Sequence, residues 1–145
     1  SRKLFDENIF LYFEDFDLCR RIKSIEGKIY SSKNLLTKHL GKKGSTDQDY
    51  NLEFEKLRNW HWMWSTFYYH KKYYGHLYAV YKNYGKLFRS LFNVFLYTIL
   101  FNTKNRKIYS ARASGLLNAM LGKKSWYRVG TLFQWPGNLI KLSVK

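Results

Sequence analysis

The sequence predicts an α+β chain that is mostly α. Apolar residues recur at three- and four-residue steps through most of residues 52–121, only one stretch, residues 28–36, looks extended, and glycines or polar clusters fall between these segments. The first helix is expected to start at Asp15 or Asp17. Leu18, Ile22 and Ile25 have helical spacing, acids at the start suit the helix dipole, and Gly27 offers a stop. Residues 28–36 come next as an extended segment with Ile29, Tyr30, Leu35 and Leu36 as its apolar contacts, ending at Thr37-Lys38-His39. Residues 41–46, Gly-Lys-Lys-Gly-Ser-Thr, form a loop, and Asp47 can cap the next helix.

Leu52, Leu57, Trp60, Trp64, Phe67 and Tyr68 then mark a long amphipathic helix to about Tyr74, before Gly75. A further helix is expected from Leu77 to about Phe101, with a break near Gly85, and Asn102–Asn105 is a polar turn. The last helix spans about Lys107–Leu121, stops at Gly122 and turns Ile108, Ala111, Leu116 and Met120 inward. Residues 133–137 hold the only proline and read as a turn before a short basic tail. Three regions result: 1–47, a helical, basic, aromatic-rich 48–125, and a tail 126–145. A lone strand leaves its ladder unpaired, so this reading calls for further strands ahead of the first region.

The 145 residues are 46% hydrophobic and 20% aromatic, enough for a sizeable core. All ten acids lie between Asp6 and Glu55, where ten Lys/Arg balance them. The whole formal charge of +16 therefore sits in residues 56–145, which have no acid. A purely cationic, aromatic-rich stretch needs anions, whether phosphates of lipid, of nucleic acid or of a nucleotide. The single cysteine, Cys19, excludes an intramolecular disulfide and a cysteine-rich zinc site, which makes a reducing, cytoplasmic setting the default. Residues 87–101, the longest apolar stretch, are interrupted by Arg89, Ser90 and Asn93 and fall short of the ~20 residues that a membrane span needs.

Residues 10–20, Phe-Leu-Tyr-Phe-Glu-Asp-Phe-Asp-Leu-Cys-Arg, place Glu14, Asp15 and Asp17 inside an aromatic and aliphatic run. Such carboxylates are solvated at a helix start, paired with cations, or held for chemistry. Residues 4–20 as a whole, together with Gly27-Lys28-Ile29-Tyr30, His39-Leu40-Gly41 and Ser45, resemble the C-terminal part of family-two glycosyltransferases, most closely the rhamnosyltransferase-like group that builds bacterial polysaccharides. Trp60-His61, Lys71-Lys72-Tyr73-Tyr74-Gly75 and residues 115–122 resemble the helical tail of that group, so the likeness covers about residues 4–124.

The resemblance implies the C-terminal fragment of a GT-A α/β fold, followed by a helical extension, and an inverting transfer of a sugar from a nucleotide-sugar donor to a saccharide or lipid-linked acceptor. It makes Asp15 the base that takes the acceptor proton, in keeping with the basicity of a partly desolvated carboxylate near another. Glu14 would shape the acceptor site, and Asp17 would cap the helix or hold Arg20 or Arg21. His39 would complete a site for Mn²⁺ or Mg²⁺, with imidazole favouring Mn²⁺. Lys42, Lys43 and Ser45 would face the diphosphate, although the two lysines stand where the family usually has adjacent glycines. The family's aspartate-x-aspartate metal motif lies upstream, and no acid pair here replaces it. The chain thus looks like a fragment that needs an N-terminal half to bind the donor.

Trp60, Trp64, Tyr69, Lys71, Lys72 and Tyr73 have the composition of an interfacial helix, which places the chain peripherally at the inner face of a bacterial cell membrane. His61, His70 and His76 read as structural. Two other classes compete: a nucleic-acid-binding module, which charge and aromatics permit but which leaves the acidic trio unused, and a non-catalytic membrane adaptor.

Overall fold

The computed structural model describes residues 4–30, 34 and 48–128. Four helices carry the fold: α1 Glu14–Lys23, α2 Gln48–Tyr74, α3 His76–Ile99 and α4 Thr103–Met120. Among the described residues there is no strand, and residues 27–30 have no regular structure. The described residues are all-α, which overturns the α+β, GT-A expectation. The physical reason is that an extended segment without a neighbour has no ladder to join.

Gly75, at φ +86, is the whole connection between α2 and α3 and breaks the helix in a conformation that other residues rarely adopt. α3 runs through Gly85 without the expected break. One interior glycine costs only about 1 kcal/mol relative to alanine, which the flanking turns can absorb. α4 begins earlier than its apolar spacing suggests, because the Asn102 side chain accepts the Asn105 N–H at 3.0 Å and caps it.

α2, α3 and α4 pack against one another around Leu57, Trp60, Met63, Trp64, Phe67, Ala79, Ala111, Leu116 and Ala119. The inner face of α4 is mostly small, with Ala111, Ala113, Ser114, Gly115 and Ala119 buried. This lets α2 come so close that a Cβ on Gly115 would sit 2.3 Å from the Trp60 carbonyl oxygen. Two irregular segments flank α2. Residues 4–13 are held by the Ser65 hydroxyl, which donates to the Leu11 carbonyl at 2.8 Å, and by Tyr68, whose hydroxyl donates to Asp6 at 3.0 Å. Residues 123–128 are held by Trp64 Nε1 donating to the Lys123 carbonyl at 2.9 Å and by the burial of Tyr127.

Candidate functional site

The acidic trio lies at the first turn of α1, where it complements the helix dipole. Entry to the helix is strained: Tyr12 and Phe13 both have positive φ, 66° and 69°. A pair of left-handed aromatic residues persists only where surrounding contacts over-determine it. Those contacts are visible. The Tyr12 ring meets Trp62 edge-on at 5.3 Å, and its hydroxyl accepts from Arg58 Nε at 3.1 Å. Phe13 lies 5.6 Å from Trp62, 5.3 Å from Tyr69 and 5.5 Å from Phe16. The strained turn therefore presents Glu14 and Asp15 at the edge of an aromatic wall built from both α1 and α2.

The three carboxylates have different surroundings. Asp15 is exposed, which corrects the expectation of a partly desolvated base, because α1 meets α2 along the side that carries Asp17. Glu14 is half-buried, and its Oε2 is enclosed without a hydrogen-bond partner. Asp17 is fully buried. It does not cap the helix, since the N-cap position is Phe13 and has no side-chain cap. Its expected link to Arg21 is present at 2.8 Å, while Arg20 turns away over the Tyr73 ring at 4.1 Å and donates to the Tyr74 hydroxyl at 2.7 Å.

Asp17 also binds Lys72 and accepts the Tyr73 hydroxyl at 2.7 Å. Lys72 reaches Asp6 at 2.7 Å as well, so one ammonium clamps two carboxylates. Burial alone would raise both acids, but Lys72 and the other donors outweigh it. Asp17 is held below the ordinary carboxylate value, and Asp6 is brought down to about 2. Burial and the Asp17 carboxylate push the Tyr73 phenol up to about 12. The sequence does not single out Asp6. Its only signal there is that a cationic α2 must recruit its counterions from the acidic first third of the chain.

Beside the aromatic wall is a hollow of about 380 Å³ lined by Tyr12, Glu55, Arg58, Asn59, Trp62 and Arg112. Arg112 donates to Asn59 Oδ1 at 3.1 Å, but its buried Nε has no acceptor among the described residues. Burial, reinforced by Arg89, keeps its guanidinium below its usual value despite nearby Tyr109. Arg58 and Arg112 make the lining of this hollow cationic, beside the Glu55 carboxylate and the Tyr12 and Trp62 rings.

Other expected site residues are placed elsewhere. Trp60 and Trp64 do not face a membrane: they are 0% and 3% exposed, at the centre of the core, because α2 is covered on several sides. Lys72 and Tyr73 belong to the Asp17 network, Tyr69 is half-buried in the aromatic wall, and Lys71 is at the surface. His39, Lys42, Lys43 and Ser45 lie outside the described residues. His61 is buried, as a structural histidine would be. Its Nε2–H donates to the Tyr127 carbonyl at 2.8 Å, leaving Nδ1 to accept from Ser125. Burial, aided by Arg128 and opposed by the Tyr127 bond, lowers it to about 4.

Among the described residues no three His, Cys, Asp or Glu side chains converge to hold a metal ion, and the most buried carboxylate, Asp17, is taken up by cations. His39, the ligand that the resemblance names, lies outside the described residues, which carry no part of the divalent-ion site that it implies. No protein-family model, curated protein or solved structure matches the chain.

Proposed function

We propose that this chain forms the acceptor side of a nucleotide-sugar-dependent, inverting glycosyltransferase that works peripherally at the inner face of a bacterial cell membrane. The observation that carries this reading is the strained Tyr12–Phe13 turn, which sets Glu14 and Asp15 at the rim of a wall formed by Tyr12, Phe13, Phe16 and Trp62. Sugar rings offer C–H faces to aromatic planes and hydroxyls to carboxylates and guanidinium groups, and this rim has all three. The exposed Asp15 can be reached by an acceptor hydroxyl and takes its proton as the oxygen attacks the donor sugar. Glu14, half-buried next to Asp15, fixes the acceptor by receiving a second hydroxyl through the oxygen that is not enclosed. The sequence pattern of residues 4–20 supports the same assignment.

The test is sugar transfer from a panel of radiolabelled nucleotide sugars by membranes of cells that express the chain, paired with saturation-transfer NMR on the purified chain with short bacterial-type oligosaccharides. Asp15→Asn is expected to lower transfer about 100-fold or more, while Trp62→Ala removes the NMR response of the sugar ring protons. If no oligosaccharide receives saturation and Asp15→Asn leaves transfer unchanged, the reading is wrong.

A further inference from the structure

α3 is turned the opposite way to a helix on the surface of a water-soluble domain. Its buried residues are small or polar: Ala79, Asn83 and Ser90. Each polar side chain among them bonds within the helix, Asn83 to the Ala79 carbonyl at 2.8 Å and Ser90 to the Lys86 carbonyl at 2.7 Å. The large apolar residues Leu77, Tyr81, Tyr84, Phe88, Phe92, Phe95 and Ile99 all point outward, Leu77 with 85% and Phe88 with 72% of its surface exposed. At 100° per residue they fall within one arc of roughly 100°, opposite the buried residues, and run for about 33 Å. Leu100 and Phe101 carry the patch on past the end of the helix.

An apolar strip this long on a soluble surface marks an interaction site. Charge identifies what covers it. Lys82 and Arg89 border one edge of the strip, Lys104, Arg106 and Lys107 come just beyond it, and residues 56–145 hold 16 cations and no acid. A second copy laid on the strip would bring like charges together, whereas anionic lipid headgroups would neutralise them. No described helix is long and apolar enough to cross a membrane, so the contact is in the plane of the surface.

We infer that the outer face of α3, from Leu77 to Ile99 and on to Phe101, lies in the headgroup region of an anionic lipid monolayer, rings towards the acyl chains and lysines and arginines among the phosphates. This deepens the membrane-surface part of the proposed function and rests on that part alone.

Flotation of the whole chain with vesicles, in the absence of any sugar, tests it separately from transfer. Vesicles containing phosphatidylglycerol are expected to carry the chain up the gradient at least about tenfold better than pure phosphatidylcholine at low salt. Phe88→Ser with Phe95→Ser alters exposed side chains only and should leave the helical circular dichroism unchanged while weakening flotation at least about tenfold. Absence of flotation, or flotation that the double change leaves intact, overturns the inference. So does light scattering that shows a dimer dissolved by the same two changes, with no lipid bound.

Discussion

Asp17 is a buried carboxylate with three strong donors, and its worth lies in what its loss would leave behind. Asp17→Asn strands Lys72 and Arg21 beside an uncharged amide, and urea unfolding should show a loss of about 3 kcal/mol. The Arg21 partner, one helical turn on, is legible in the sequence. Lys72 and Tyr73, 55 and 56 residues away, are not, because nothing local encodes a contact made by packing. The same limit explains why Asp15, flanked by the same apolar letters as Asp17, reads as desolvated in the sequence and is exposed in the fold. Acid sensitivity arises from two further residues. Between about pH 6.5 and 4 the unfolded chain binds a proton that buried His61 resists, so stability falls as pH drops through this window, by roughly 3 kcal/mol in total. Asp6, ordinarily near 3.8 and held at about 2, stays ionised longer than its unfolded counterpart, and its contribution is lost as pH falls through that range. Urea midpoints measured from pH 7 to 3 should fall throughout, and His61→Asn should flatten the upper part of the curve.

At the scale of elements, the sequence signals that helices exist better than it signals how they are turned. Gly75 and Gly122 stop α2 and α4 with positive φ, which few other residues accept, so the boundaries are written in single letters. The aromatic surplus of α2 has the composition of a membrane face. It is instead the interior, because α3, α4 and both irregular segments close over Trp60 and Trp64. The sequence marks α3 as a helix from Leu77 to about Phe101, yet it does not state whether its large apolar residues point in or out. The α2–α4 contact depends on one missing methyl group. Gly115→Ala puts a Cβ into the Trp60 backbone and should cost about 1–3 kcal/mol in chemical denaturation, although alanine is the better helix former.

At the scale of the whole molecule, charge is segregated: the first 55 residues are balanced, and all the excess lies beyond them. Those cations lie in a stretch with no carboxylate of its own, so they repel one another across the helical bundle. Raising the salt concentration from 10 to about 300 mM shortens the Debye length from ~30 to ~6 Å and should raise the melting temperature by roughly 3–4 °C, since exposed repulsions are screened more than the buried Asp17 pairs. Scanning calorimetry at the two concentrations would show the shift.

The segment after α4 works as a latch. Tyr127 is stacked 5.8 Å from Trp60, Trp126 meets the same indole edge-on, and the Tyr127 carbonyl closes on His61, yet the lysines just ahead of them, Lys123 and Lys124, are at the surface. A single tryptic nick there would cut the tether of the latch without touching a helix. Release of the segment beyond the cut would admit water to Trp60 and move the tryptophan emission to the red before any helix melts, giving a fluorescent record of when the core first opens.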